Sequence, residues 1–141
     1  MHSFERLIAE HQAILEHAKQ LSGICAAPAD PAAAHRALTA LGADLAEHLA
    51  TEDRDIYPRL MLSNDEGAAD AARRAIRQFE TLAADWTVHQ ARWTQCAIRA
   101  DWETFVADNA ELLDRLAQRI RTENDLLYPL ALRAAHIRLR A

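Results

Sequence analysis

Helix breakers and cross-links are scarce in this chain of 141 residues. Three glycines and four prolines leave long stretches with nothing to interrupt a helix. The two cysteines, Cys25 and Cys96, are too few for a disulfide framework. Lysine is almost absent, so the basic residues are nearly all arginine, and they are outnumbered by acids to a net charge of −5. That balance excludes the basic footprint of a nucleic-acid binder. No apolar run is long enough to cross a bilayer, and no positively charged start leads into an apolar segment of the secretory kind. A nucleophile–base pair and a phosphate-cradling loop are also missing, so nothing argues for a hydrolase or transferase. The expectation is a cytoplasmic protein with free thiols and no membrane or nucleic-acid partner.

Half of the residues are apolar, and alanine and leucine supply most of them, which is the composition of a helix former. The length suits one domain over residues 1–141. Four long segments carry apolar residues three and four apart. The first runs from Ser3 into the twenties, with Phe4, Leu7, Ile8, Ile14, Leu15 and Leu21 on its stripe. Asp30-Pro31 reads as an N-cap followed by proline at the first helical position, opening a second helix that ends around Ser63. Asn64-Asp65-Glu66-Gly67 is turn and cap chemistry before a third helix that reaches Arg99, and Asp101 caps the fourth. Short connections between long amphipathic helices predict an all-α, up-down-up-down antiparallel four-helix bundle.

An internal repeat lies within this pattern. His48-Leu-Ala-Thr-Glu52-Asp-Arg-Asp-Ile-Tyr57-Pro58 in the second helix echoes Arg119-Ile-Arg-Thr-Glu123-Asn-Asp-Leu-Leu-Tyr128-Pro129 in the fourth. Each proline removes a helix hydrogen bond, which predicts a kink or an end near Tyr57 and Tyr128. The two tyrosines are read as packing at that end of the bundle.

Ionisable groups are costly to bury unless paired or bound to a metal, so those that interrupt the apolar stripes mark the place to look for function. They are His11 in the first helix, His48 and Glu52 one turn apart in the second, and Arg119 and Glu123 one turn apart in the fourth. Counting inward from the turns sets both pairs level with residues of roughly 77–82 in the third helix, where Gln78 and Glu80 are candidate further ligands. His11 joins this layer if the first helix ends near Ala27, and lies off it if the helix ends at Gly23. His89 falls about two turns away. His2, His17, His35 and His136 read as surface or end positions. Cys25 and Cys96 approach one end of the bundle, where a redox pair is conceivable.

Imidazole and carboxylate groups projecting inward from facing helices can hold iron or manganese. With His11, with His48-x3-Glu52 followed by Tyr57-Pro58, and with the half-motif from Glu123 to Pro129, the chain resembles the hemerythrin-like HHE cation-binding family over essentially its whole length. The resemblance implies a non-haem metal site, often of two irons, with His11, His48, Glu52 and Glu123 at ligand positions. It also implies roles in binding oxygen or nitric oxide, in redox sensing or in iron handling. Two departures bear on this. Arg119 stands where the family usually has histidine and cannot ligate, and the third helix lacks its usual histidine. They point to one non-haem iron, or to none, in place of two. In the metal-free alternative Arg119 salt-bridges Glu52 and Glu123, and the chain is a regulatory interaction module. Its helix order is similar to that of bacterial regulators of the housekeeping sigma factor, a likeness of fold alone. The partners expected are thus a metal ion and a small diatomic ligand, or else a protein partner or a second copy of the chain.

Overall fold

A computed structural model describes residues 4–62 and 64–133, with the side chain of Phe4 left aside. Ser3 and Ser63, expected as a helix start and a helix end, and His2 and His136 lie outside the described residues. Among those described there is no strand, and helices follow one another with short breaks.

The first helix, α1, spans Phe4–Ala26. Its buried face is Leu7, His11, Ile14 and Leu21, whereas Ile8 and Leu15, expected on the same stripe, are exposed. One narrow seam of α1 meets its neighbours, and residues one position off that seam point to water. The second helix, α2, spans Pro31–Thr51, and Asp30 caps it by accepting from the Ala33 N–H at 3.2 Å.

The chain does not end or break at the first repeat proline. It passes from α2 through a π-helical turn, Glu52–Ile56, into α3, Tyr57–Met61. The Tyr57 N–H donates to the Glu52 carbonyl five residues back. Proline lacks a donor and its ring crowds the carbonyl four residues earlier, so one wide turn before Pro58 absorbs the misfit that was expected as a kink. The same occurs in the second repeat. There α7, Trp102–Thr122, runs into a π turn at Glu123–Leu127, and the Tyr128 N–H donates to the Glu123 carbonyl before the helix resumes over 128–133.

The third rod is not continuous. It consists of α4, Glu66–Phe79, α5, Leu82–Arg92, and α6, Gln95–Ala100. The second break has a local cause: Thr94 is extended (ψ 164°) and its hydroxyl accepts from the Ala97 N–H at 3.2 Å, starting a new helix. Asp65 and Asp101 cap α4 and α7 as their positions predict.

α1 packs on α2, α2 on α5 and α6, and α7 on α1, α4 and α5. Two apolar clusters result. One gathers Ile14, Leu41, Leu45, Trp86, Phe105 and Leu116 with their neighbours. The other gathers Leu7, Ile56, Leu60, Ala72, Phe79 and Leu127. Between them, along α1, along α2 with its π turn and along α7 with its π turn, lies a layer of buried polar groups.

Candidate metal centre

His11, His48, Glu52, Arg119 and Glu123 are each at most 3% exposed. The end of α1 at Ala26 gives His11 the register that brings it into the layer. One ligand atom from each of His11, His48, Glu52 and Glu123 lies within 4.8 Å of the others, a grouping that could hold a metal ion. Gln78 and Glu80 are both exposed, and Glu80 is outside this group. The break after Phe79 and the tight burial of Phe79 itself turn its two neighbours outward.

The inner atoms of the group are close without being bonded. His48 Nε2 lies 2.9 Å from Glu52 Oε1, yet neither atom has a hydrogen-bond partner, and Glu123 Oε1 has none either. His11 Nε2 lies 3.0 Å from Glu123 Oε1 and 4.0 Å from Glu52 Oε2. Three buried polar atoms from three residues thus converge with ion-pair contacts but no hydrogen bond, an arrangement that a bound cation would complete. The donor set of two imidazoles and two carboxylates fits one divalent transition-metal ion.

The outer atoms are all held. His48 Nδ1 bonds Glu10 Oε1 at 2.9 Å, and His11 Nδ1 bonds Asn124 Oδ1 at 2.8 Å. When the rings are neutral, acceptors on both Nδ1 atoms favour the tautomer whose Nε2 lone pair faces the centre. The Tyr128 hydroxyl donates to Glu52 Oε2 at 2.5 Å and lies 3.1 Å from His11 Nε2. The Tyr57 hydroxyl donates to Glu123 Oε2 at 2.5 Å, and Arg119 Nε donates to the same oxygen at 3.2 Å. Arg119 Nη2 reaches Asp53 Oδ1 at 3.0 Å and lies 3.6 Å from Glu52 Oε1.

The charges are unevenly placed. Burial, and then the neighbouring Glu123 charge, pushes the Glu52 carboxyl up to about 7. Burial acts the same way on Glu123, but its close contacts with His11 and Glu52 and the charge of Arg119 outweigh it and hold that carboxyl below the usual range. A single proton shared by the pair therefore favours Glu52. Burial disfavours a proton on His48, yet its contacts with Glu52 and Glu10 and the charge of Glu123 push it up to about 9. Burial and the two carboxylates raise both tyrosines, which keeps them as neutral donors.

Several of these groups escaped the sequence reading. Tyr57 and Tyr128, read as packing, put their hydroxyls on the carboxylates; their shared spacing five residues beyond each glutamate was the available signal. Glu10 and Asp53 are chain neighbours of His11 and Glu52, and nothing in the sequence sets them apart from other surface acids. His89 lies away from the layer, as counted, bonded to Asn109 at 3.2 Å. Burial lowers its pKa. Asn109 also donates to Cys25 at 3.8 Å, and Cys25 and Cys96 are both free thiols. His17 and His35 are partly buried, and His17 pairs with Asp44 at 3.3 Å.

Two clefts approach the layer. One of about 180 Å³ between α1 and α2 is lined by Arg6, Glu10, Asp44, Glu47 and His48. The other, of about 340 Å³, is lined by Asp53, Tyr57, Phe79 and Glu80. No helix among the described residues is long and apolar enough to cross a membrane.

Among known proteins, the family model of the hemerythrin HHE cation binding domain matches residues 2–131. No curated protein and no solved structure matches the chain.

Proposed function

The chain belongs to the hemerythrin HHE cation-binding family, and on that premise we propose that it binds one non-haem, iron-type cation through His11, His48, Glu52 and Glu123. The observation that carries this reading is the convergence of three buried ligand-type atoms that have no hydrogen bond: His48 Nε2, Glu52 Oε1 and Glu123 Oε1. An ion of this type would supply a redox-active Lewis-acid centre. The protein residues supply the rest. Glu10 and Asn124 orient the two imidazoles, the tyrosines hold the outer carboxylate oxygens, and Arg119 offsets the surplus negative charge.

We read the role as sensing of oxygen, nitric oxide or redox state, or iron handling, without catalytic turnover. In this reading residues 1–141 form one cytoplasmic domain, an up-down-up-down four-rod bundle with its third rod segmented.

One observation favours a second reading. Arg119 stands 3.2 Å from Glu123 and 3.6 Å from Glu52, so a metal-free bundle could balance its core charges internally and act as a regulatory interaction module. Metal analysis and an absorption spectrum on protein reconstituted with ferrous iron under reducing conditions separate the two. The first reading expects one metal per chain, lost in His48→Ala. Protein that stays metal-free after reconstitution would sink it.

A further inference from the structure

We propose that the Arg119 guanidinium is a built-in cation that fills one of two symmetry-related cation positions in the core, and that it thereby limits the site to a single bound metal ion. The inference rests on the metal-binding reading above.

The internal repeat is structural as well as sequential. Glu52 and Glu123 each open a π turn, and Tyr57 and Tyr128 each follow one. Each tyrosine hydroxyl crosses to the glutamate of the other repeat, Tyr57 to Glu123 and Tyr128 to Glu52. Glutamate, tyrosine and proline are thus matched across the layer. Among the repeat residues that reach the layer the symmetry fails at two pairs: His48 of the first repeat corresponds to Arg119 of the second, and Asp53, which meets Arg119, corresponds to Asn124, which meets His11.

The two sides of the layer differ accordingly. On the His48 side, Nε2 and the facing Glu52 Oε1 have no hydrogen-bond partner. On the Arg119 side the guanidinium, 1% exposed, already sits in a box of three carboxylates. Its nitrogens lie 3.0 Å from Asp53 Oδ1, 3.2 Å from Glu123 Oε2 and 3.6 Å from Glu52 Oε1. The Tyr57 ring, 5.1 Å from the guanidinium carbon, covers it. Two buried carboxylates and the exposed Asp53 thus surround one buried positive charge, an oxygen-rich setting that suits a hard or borderline cation. Here the positive charge is permanent and tethered, since a guanidinium does not lose its proton. A second ion next to it would meet a fixed like charge and oxygens already committed to N–H donors. Glu52 Oε1, at 3.6 Å, is beyond hydrogen-bond reach of the guanidinium and remains open to the first ion.

The test compares the wild type with Arg119→His and Arg119→Lys, each saturated with Co²⁺ as a spectroscopic probe and freed of excess metal. Metal per chain and the visible cobalt spectrum are the readouts. One equivalent is expected in the wild type and in Arg119→Lys, which keeps the charge. Two are expected in Arg119→His, the second being lost when Asp53→Ala is added. A folded Arg119→His protein that takes one equivalent overturns the proposal and leaves the single-metal reading standing; a wild type that takes none overturns both. If Arg119→His folds poorly, Arg119→Ala gives an independent measurement. Millimolar methylguanidinium should raise its melting temperature and leave that of the wild type unchanged, and no rise in the variant overturns the proposal.

Discussion

Each buried carboxylate of the layer has one oxygen held and one left over. Tyr128 holds Glu52 Oε2, and Tyr57 with Arg119 holds Glu123 Oε2, so the Oε1 atoms are presented to the centre. Without its hydroxyl partner a carboxylate gains rotational freedom and must be ordered again when an ion binds. Tyr57→Phe and Tyr128→Phe are therefore expected to weaken metal binding about tenfold each while keeping one ion per chain. Competition against a chelator of known affinity measures this, and unchanged affinity in both variants would reduce the tyrosines to packing. At this scale the four ligand-type residues were legible because each breaks an apolar stripe. Their orienting partners were not, since Glu10, Asn124 and Asp53 look like ordinary surface polar residues until helices from distant parts of the chain meet.

At the scale of elements, caps and breakers acted locally and could be read. Asp30, Asp65 and Asp101 all cap where expected. What escaped was how two helices continue past a proline and why the third rod divides. A wide turn placed ahead of Pro58 and Pro129 needs no special residue, only packing on both sides that keeps the helix going. Contact between rods also decides the role of Gly42. A Cβ there would lie 2.2 Å from Gln90 Oε1, the atom that accepts from Trp86 Nε1 at 3.1 Å. Gly42→Ala alone should destabilise the fold by about 1 kcal/mol, because displacing Gln90 and leaving a buried indole N–H unpaired outweighs the gain in helix propensity. In a Gln90→Ala background the clash is gone, and the same substitution should stabilise by up to about 1 kcal/mol. Urea unfolding of the four proteins tests the reversal of sign; additive effects would refute the close approach of α2 and α5.

For the whole molecule, metal uptake is linked to pH. A bound ion needs His48 neutral and Glu52 ionised, whereas without an ion His48 keeps its proton up to about 9 and Glu52 is pushed up to about 7. Binding must then expel protons, so apparent affinity should rise from pH 6 to pH 8, by about tenfold per pH unit for each proton displaced. Calorimetry in buffers of different ionisation heat counts those protons. Affinity that is flat or falls over this range would contradict the ligand roles of both residues.

The sequence by itself determined that the chain is helical, where α2, α4 and α7 start, and which residue types lie within its apolar stripes. Periodicity, caps and breakers act over a few residues and need no partner. Only the tertiary structure decided the contents of the layer. His11 enters it because α1 ends at Ala26, Gln78 and Glu80 leave it because the third rod breaks after Phe79, and Asp53 completes the box around Arg119. Which atoms meet across a bundle depends on the register between rods. That register is set by packing summed over whole helices and by turns whose shape depends on what they pack against.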